Sequence, residues 1–457
     1  MALIGILAGG FIGLFSETAL NIALPTLMQE LKVDEGTVQL LITGYMLVIG
    51  IVLPLSGLIS HWFPTKQLML FAVTIFATGS VMAACAPNFG WLLFGRMIQG
   101  IGTGLLLPLM FTIAALLFPP QKLGTVLGII GLVIMFAPAL GPTISGVILQ
   151  NLSWRWIFWL FLPILVVAWI LIRLTVPNLI SQTKPKFSWS AVIASAAGFG
   201  MLVTAASLVS NLGITSPLVL GLLAVAVVIL FGYIHQQLNS SQPILNFKIF
   251  KNREFNLSTW VIALNFGIII SSMYLLPLLF QRGLGISAIK TGLWMLPGGL
   301  VNAFVSAASG RLYDRFGARK LASGGVIFAL LGLTLLIVLT SRATIAHLVT
   351  AHILLMIGVA LIMSPVQTFG LSHLKRQQSG DGSTIMNTLQ QISGALATAV
   401  TTTLMAWGSS LAETDSQRAA FIFSSHFGFG FILLLAMIVG GLIFGIKAKF
   451  PSHEEIE

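Results

Sequence analysis

Stretches of about 20 apolar residues recur from one end of this chain to the other, each long enough to cross the hydrocarbon core of a bilayer. Divided at charged or Pro/Gly-rich breaks, they give fourteen runs: 3–28, 38–61, 68–87, 91–118, 123–150, 155–176, 188–211, 216–236, 256–280, 288–310, 321–340, 345–371, 383–410 and 421–446. The runs at 288–310 and 383–410 are the least hydrophobic. Of 457 residues, 57% are hydrophobic and only 8% charged, whereas a soluble domain carries about a quarter charged residues. A membrane barrel would instead show alternating segments of about ten residues, and none is seen. The expected fold class is an all-α polytopic membrane protein with fourteen spans.

An even number of spans puts both termini on one side, and the cations say which. One set of loops holds Lys66, Lys122, Arg173, Lys184, Lys186, Lys248, Lys251, Arg253, Arg311, Arg315, Arg319, Lys320, Lys375, Arg376, Lys447 and Lys449. The other holds Lys32, Arg155, Arg282, Lys290, Arg342 and Arg418. Lysine and arginine concentrate in cytoplasmic loops, so both termini are expected in the cytoplasm. The net charge of +11 follows from that topology, and no nucleic-acid partner is implied. The single cysteine, Cys85, allows no intrachain disulfide and reads as a packed thiol at a helix end. The first apolar run is long and continues as a span, unlike a cleavable signal peptide.

Two charges remain well inside the spans, Glu17 and Arg96. A charge at such depth costs at least about 2.5–3.5 kcal/mol on insertion scales, so each demands a reason. Glu17 stands in "GLFSETALNIALP" (Gly13 to Pro25), within a segment from Met1 to Leu27 that has no other charge. Desolvation disfavours a carboxylate's charged form, which suits a group that loads a proton from one side and unloads it to the other. The alternative is a carboxyl group held permanently neutral by Thr18, Asn21 or a neighbouring helix. Arg96 keeps its charge. It either sets the field felt by a titrating carboxylate or snorkels to the outer interface about a turn and a half away. By residue count Glu17 lies near mid-membrane and Arg96 nearer the outer face. Asn21, Tyr45, Gln99, Asn265, Asn302, Asn387, Gln390 and Gln391 are candidates for lining a central cavity, and equally for structural interhelical hydrogen bonds.

A repeat is concealed in two loops. "GLISHWFPTKQ" (Gly57 to Gln67) and "GRLYDRFGARK" (Gly310 to Lys320) both start with Gly. Each carries a polar residue fifth (His61, Asp314), a chain-bending residue eighth (Pro64, Gly317) and a cation tenth (Lys66, Arg319). Equivalent halves leave two six-helix bundles with the runs at 188–211 and 216–236 as a spare pair. The expected division is 1–176, an N-terminal bundle; 177–240, a linker with the extra pair; and 241–457, an amphipathic linker with the C-terminal bundle. Repeated halves are a transporter habit, with the substrate site at their interface.

The second copy, with Gly310, Asp314, Arg315, Gly317 and Arg319, resembles the cytoplasmic loop signature of the major facilitator superfamily, in which it latches one bundle against its neighbour. The first copy departs from that pattern at His61 and Trp62. "LLFGRMIQGIGTG" (Leu92 to Gly104) resembles the fourth-helix motif, with Arg96, Gln99 and Gly100 as its core. "GLVIMFAPALGPTISG" (Gly131 to Gly146) resembles the fifth-helix signature of the superfamily's antiporters: Gly141, Pro142 and Gly146 match its core, and Pro138 adds a second kink. "WRWIFWLFLP" (Trp154 to Pro163) resembles the segment next in order in drug exporters, although its tryptophans also suit an aromatic girdle. "PILNFKIFKNREF" and "GDGSTIMNTLQQISGALATAV" extend the likeness to fourteen-spanner drug:proton antiporters of the QacA and EmrB kind. "SETALNIALP" is similar to that family's first-helix motif, with Ser16 at the usual place of an aspartate and the acid one residue on, at Glu17.

The resemblance implies proton-coupled export of lipophilic or cationic drugs by alternating access across a bacterial cytoplasmic membrane. Glu17 and Arg96 would couple the proton. The chain is expected to act as a monomer, without metal or cofactor, on small-molecule drugs, protons and lipid. An uptake symporter on the same fold is the alternative. An integral membrane enzyme would need a catalytic cluster that the sequence does not display, and no nucleotide-binding motif is present.

Overall fold

A computed structural model of the chain describes residues 2–117, 120–178, 189–213, 215–240, 243, 246–338, 344–374, 378–412 and 416–446. All fourteen expected runs fall on helices: α1 (Ala2–Ala19) with α2 (Leu24–Leu31), α3 (Glu35–Trp62), α4 (Thr65–Ala84), α5 (Phe89–Leu117), α6 (Pro120–Asn151), α7 (Arg155–Thr175), α8 (Trp189–Leu212), α9 (Pro217–Asn239), α10 (Arg253–Leu278), α11 (Ala288–Ile337), α12 (Ile345–Ser372), α13 (Ser379–Ser410) and α14 (Gln417–Phe444). Among the described residues, eleven helices are long and apolar enough to cross a membrane. The expected runs outside that group are α6, the first part of α11 and α13. The last two carry Asn302, Ser306, Asn387, Gln390 and Gln391. The protein is a multi-pass, all-helical membrane protein.

Two runs depart from simple helices for local reasons. The first breaks into α1, a 3₁₀ turn at Leu20–Ile22, and α2, which opens with Pro25 in its first turn. Proline has no N–H and its ring crowds the carbonyl four residues back, so the helix tightens one turn beyond Glu17. The runs 288–310 and 321–340 are joined as one element through Gly317, whose φ of 74° and ψ of 164° suit a residue without a Cβ. In the other copy of the repeat, α3 ends at Trp62, and Pro64 caps α4. The eighth position is therefore where the chain turns in both copies.

Helices α1 and α3–α7 pack among themselves, and so do α10–α14, while α6 against α11 and α3 against α13 join the two groups. The extra pair, α8 and α9, holds together and leans through α8 on both α3 and α13, at the seam. The far side of α9 is a lipid-suited surface of exposed Leu218, Val227, Val228 and Phe231. The segment entering α10 folds back as a short 3₁₀ turn, Phe247–Lys251. Its Phe247 meets Tyr233 of α9 edge-on and Phe250 meets Phe255 of α10.

Contacts between turns sort the helix ends into two faces. On one, here the Lys32 face, Trp154 donates to Glu30 at 2.8 Å, Arg155 donates to the Ala86 carbonyl, and Arg282 pairs with Glu35 at 2.6 Å. On the opposite face Lys66 meets Asn178, and Asn252 donates to the His373 carbonyl. Among the described residues, four hydrogen bonds between the two helix groups lie in the half of the bundle nearer the Lys32 face. They are Asn21 Nδ2 to Met273 O at 2.8 Å, Gln281 Nε2 to Ile22 O at 3.0 Å, Thr143 Oγ1 to Gly292 O at 2.9 Å, and the Arg282–Glu35 pair. The molecule is thus closed toward that face.

Two readings of the sequence are corrected by the fold. Cys85 is exposed at the end of α4, not packed. The tryptophans after α6 do not act alike: Trp156 and Trp159 face outward, but Trp154 is fully buried with its N–H spent on Glu30. A Cβ at Gly310 would meet nothing within 4 Å, so that glycine does not serve close packing in this conformation.

Close approach occurs instead between α11 and α12. A Cβ on Gly358 would stand 2.5 Å from the Ala329 nitrogen and 2.6 Å from the Gly325 carbonyl. Gly358→Ala must push two backbones apart, an overpacking cost of about 1–3 kcal/mol. It is expected to lower the thermal midpoint of the purified protein in detergent. Gly441→Ala, with nothing within 4 Å of the added methyl, should leave the midpoint unchanged.

Candidate functional site

Neighbouring residues on a helix point about 100° apart, and α1 uses that step to separate two tasks. Ser16 turns toward α5, where Arg96 is completely buried. Arg96 Nη1 donates to Ser16 Oγ at 2.6 Å and to Gln99 Oε1 at 2.8 Å, Nη2 donates to Ser16 O at 3.2 Å, and Nε donates to Leu41 O at 3.3 Å. The guanidinium also lies 4.0 Å from the centre of the Tyr45 ring. Around it the polar groups are bonded in turn. Tyr45 OH donates to Gly13 O at 2.8 Å and sits 2.7 Å from Thr103 Oγ1, and Gln99 Nε2 donates to Ser80 Oγ at 2.8 Å. Planar guanidinium groups carry five donors, and here four hydrogen bonds and an aromatic face hold the charge without a carboxylate. Among the described residues the ion pairs are Arg155–Glu30, Arg253–Glu254 and Arg282–Glu35. Glu17 and Arg96 form none.

Glu17 turns the other way, into a cavity between the two helix groups. The walls come from α1 (Leu14, Glu17, Thr18), α6 (Ile134, Pro138), α10 (Phe266, Ile269, Ile270, Met273), α11 (Gly299, Asn302, Ser306) and α12 (Met356, Val359, Ala360, Met363). Among the described residues, Glu17 is the one ionisable side chain lining this apolar space. Its Oε1 is buried with no protein partner, and the Gln391 side chain on α13 comes within reach of the carboxylate. The two side chains expected as alternative holders of the carboxyl are engaged elsewhere. Thr18 Oγ1 donates to Pro138 O at 2.9 Å, and Asn21 donates to Met273 O.

The Thr18 bond explains the prolines of α6. Pro142 has no N–H for the carbonyl four residues back, which is that of Pro138. The Thr18 hydroxyl takes its place. This needs α1 and α6 very close, and Gly141 permits it: a Cβ there would collide with Thr18 Oγ1 and stand 3.0 Å from the Ala19 nitrogen. One turn on, α6 meets α11 through a second glycine seam. A Cβ on Gly146 would fall 2.7 Å from Ala288 O, and one on Gly292 would fall 2.6 Å from Pro142 O. One stretch of α6 therefore holds α1 on one side and the other helix group on the other.

The model of the Major Facilitator Superfamily matches residues 6–398. The chain belongs to this superfamily. Over 408 residues it is 45% identical to the lincomycin resistance protein LmrB of Bacillus subtilis (strain 168), covering 89% of this chain and 85% of that protein. It is 26% identical to the putative multidrug resistance protein MdtD of Escherichia coli O9:H4 (strain HS), covering 98% and 94%. In fold it is similar to a peptide transporter crystallised with sulfate, at a TM-score of 0.71 with 16% identity over 98% of this chain and 96% of that one. A D-xylose–proton symporter gives a TM-score of 0.70, also with 16% identity, covering 98% and 99%.

Within this superfamily fold the remaining motif residues take definite places. Arg96 does not snorkel to an interface: it is buried against α1, because its length and the helix approach cancel the depth difference counted along the sequence. Tyr45 and Gln99 belong to the Arg96 network and not to the cavity. Asn265 donates to Val359 O at 3.1 Å inside the α10–α12 contact, and Gln390 Nε2 donates to Asn387 Oδ1 at 3.3 Å. Neither of those sets is among the cavity walls, whereas Asn302 is, with its amide on Met356 O at 3.0 Å. Arg315 is exposed and lies over its neighbour Phe316, and Arg319 is half-buried. The side chain of Asp314 lies outside the described residues. Thr18 as the partner of Pro138, Gly292, and the Glu35–Arg282 pair were not singled out from sequence, and Ser16 was marked only as the usual place of an aspartate. Only the Pro142 spacing carried a readable signal, since a proline leaves a carbonyl free four residues earlier.

Thr18→Val strands the Pro138 carbonyl, at a cost of about 1–3 kcal/mol for an unsatisfied buried acceptor. Pro142→Ala returns an intrahelical N–H to that carbonyl. In a double-mutant cycle read by thermal stability, Thr18→Val is therefore expected to cost markedly less in the Pro142→Ala background than in wild type. Additive effects would break the proposed link.

Proposed function

We propose that this protein exports small lipophilic or cationic drugs from the bacterial cytoplasm by alternating access, in exchange for protons, with Glu17 as the titrating carrier. The observation that carries the reading is the position of Glu17: among the described residues, the one ionisable group on an apolar cavity between the halves, with a carboxylate oxygen free of protein partners and no ion pair. Desolvation disfavours its charge, so a proton or a cationic drug stabilises it, and each competes with the other. Arg96, which cannot lose its charge, biases the carboxylate without locking it. When the cavity opens to the cytoplasm, drug entry releases the proton inward. When it opens outward, a proton from the medium neutralises Glu17 and the drug leaves. An inward proton gradient then drives export.

The same reading assigns fourteen spans, with the Lys32 face external and both termini cytoplasmic, in agreement with the lysine and arginine distribution. It divides the chain into 1–176, 177–240 and 241–457, and places it with the fourteen-spanner drug:proton antiporters. The conformation closed toward the Lys32 face is then the inward-facing one. The lincomycin resistance relative makes lincomycin the first cargo to test, in a monomeric transporter of the cytoplasmic membrane.

In inverted vesicles energised by an acid interior, wild-type protein is expected to accumulate lincomycin while protons leave. Glu17→Gln should still bind lincomycin but transport it only at the background of empty vesicles. Undiminished proton-coupled transport by that variant would remove Glu17 from the mechanism. Lincomycin movement outward from these vesicles with the protons would replace export by uptake symport.

A further inference from the structure

Resting on this antiport reading, we infer that Gln39 and Tyr274, with Asn21 between them and Glu17, form the route by which an external proton reaches the carrier. The protein buries several polar groups along one seam and leaves them unmatched. Both atoms of the Gln39 amide, the Tyr274 hydroxyl, Asn21 Oδ1, Glu35 Oε1 and Glu17 Oε1 are buried without a protein partner. An unmatched buried polar atom costs about 1–3 kcal/mol, and most such atoms in folded proteins are satisfied. A run of them along one seam therefore demands a use.

Their order along the seam is regular. Glu35, paired through Oε2 with Arg282, stands at the Lys32 face. Arg282 also lines an open vestibule there, with Gln29, Gln281 and Arg418. Gln39 lies one turn inward from Glu35 on α3 and seven residues before Met46, hence on the same face as that side chain. That face meets α13: Met46 sulfur stands beside Gly394, and Gly50 beside Ile392 and Gln391. Tyr274 comes within electrostatic range of Glu35 and Arg282 and lies near Thr402 of α13. Its neighbour in sequence, Met273, takes the hydrogen bond of Asn21. Asn21 is one turn from Glu17, in the 3₁₀ stretch of the first span. The sequence vestibule, Glu35, Gln39 with Tyr274, Asn21, Glu17 leads inward from the Lys32 face to the cavity.

Amides and phenols can both donate and accept, so these side chains can orient a file of water without being charged themselves. When the seam between the halves parts, water enters along them. A proton passes from the vestibule through that water to Glu17 Oε1, which becomes a carboxylic acid as the drug departs. In the closed conformation the same groups are buried, and the route is shut. Gln39 and Tyr274 are thus positioning residues for proton delivery, and neither belongs to the drug cavity.

The test uses the whole protein in liposomes, with lincomycin as the probe and two transport modes. Exchange of labelled for unlabelled lincomycin at equal pH needs no proton delivery, whereas transport driven by a pH gradient does. Gln39→Leu and Tyr274→Phe are expected to slow gradient-driven transport about tenfold or more, while leaving exchange and lincomycin affinity unchanged. Because the replaced amide has no partner in the closed state, Gln39→Leu should also keep or raise the thermal midpoint. Equal slowing of both modes, or a lowered midpoint with unchanged gradient-driven transport, overturns the route and makes these residues part of the packing. Normal gradient-driven transport in both variants overturns it as well, with the antiport reading intact. If wild-type protein performs exchange but ignores the pH gradient, the antiport reading fails and the route falls with it.

Discussion

Everything near the centre of this protein depends on how the charge of Arg96 is held in an apolar span. An arginine at that depth keeps its proton and must be satisfied by the protein. Here the first oxygens offered to it are those of Ser16, followed by Gln99, the Leu41 carbonyl and the face of Tyr45. This draws α1, α3 and α5 into one packed unit and fixes the rotation of α1. With Ser16 turned to the arginine, the next residue must face elsewhere, and that direction is the cavity between the halves. Had the acid occupied position 16, it would have formed the arginine's ion pair. One step along the helix it is left without an ion pair, on the wall of that cavity.

The same rotation brings Thr18 onto α6 and sets the architecture of the closed face. Thr18 replaces the N–H that Pro142 lacks, Gly141 admits α1 at backbone distance, and Gly146 with Gly292 admits α11. Helix α6 is thus packed through glycine on two sides. The polar contacts that close the Lys32 face are few: two amide side chains on carbonyls, one threonine, and the Glu35–Arg282 pair. The Arg96 unit lies entirely within one helix group and spans neither seam between the halves.

The helices and their order were legible because apolar length is a direct requirement of the bilayer, and the two turning positions were legible because Pro64 and Gly317 are strong local determinants. Glu17 and Arg96 stood out for the same reason, as charges with no business in lipid. What eluded the sequence was direction. The face served by Glu17 needed a reference, and Ser16 became one only once Arg96 was seen to bind it. Counting residues along each span treats helices as parallel rods, which left Arg96 shallower than Glu17 when the two helices in fact meet. Tyr45, Gln99 and Asn265 were drawn toward the cavity by their polarity alone, although hydrogen bonds inside one helix group account for them. The inter-half pairs, such as Asn21 with a carbonyl 252 residues away, have no local signature at all.

The mechanism stands on Glu17 exchanging its proton for drug, and proton release on binding measures this without any transport. Purified protein in weakly buffered detergent solution, titrated with lincomycin over a series of pH values around neutrality, is predicted to release protons in step with binding. The release should vanish in Glu17→Gln while lincomycin still binds. Binding by wild-type protein with no proton released at any pH in the series, or an undiminished release from Glu17→Gln, would contradict the central claim.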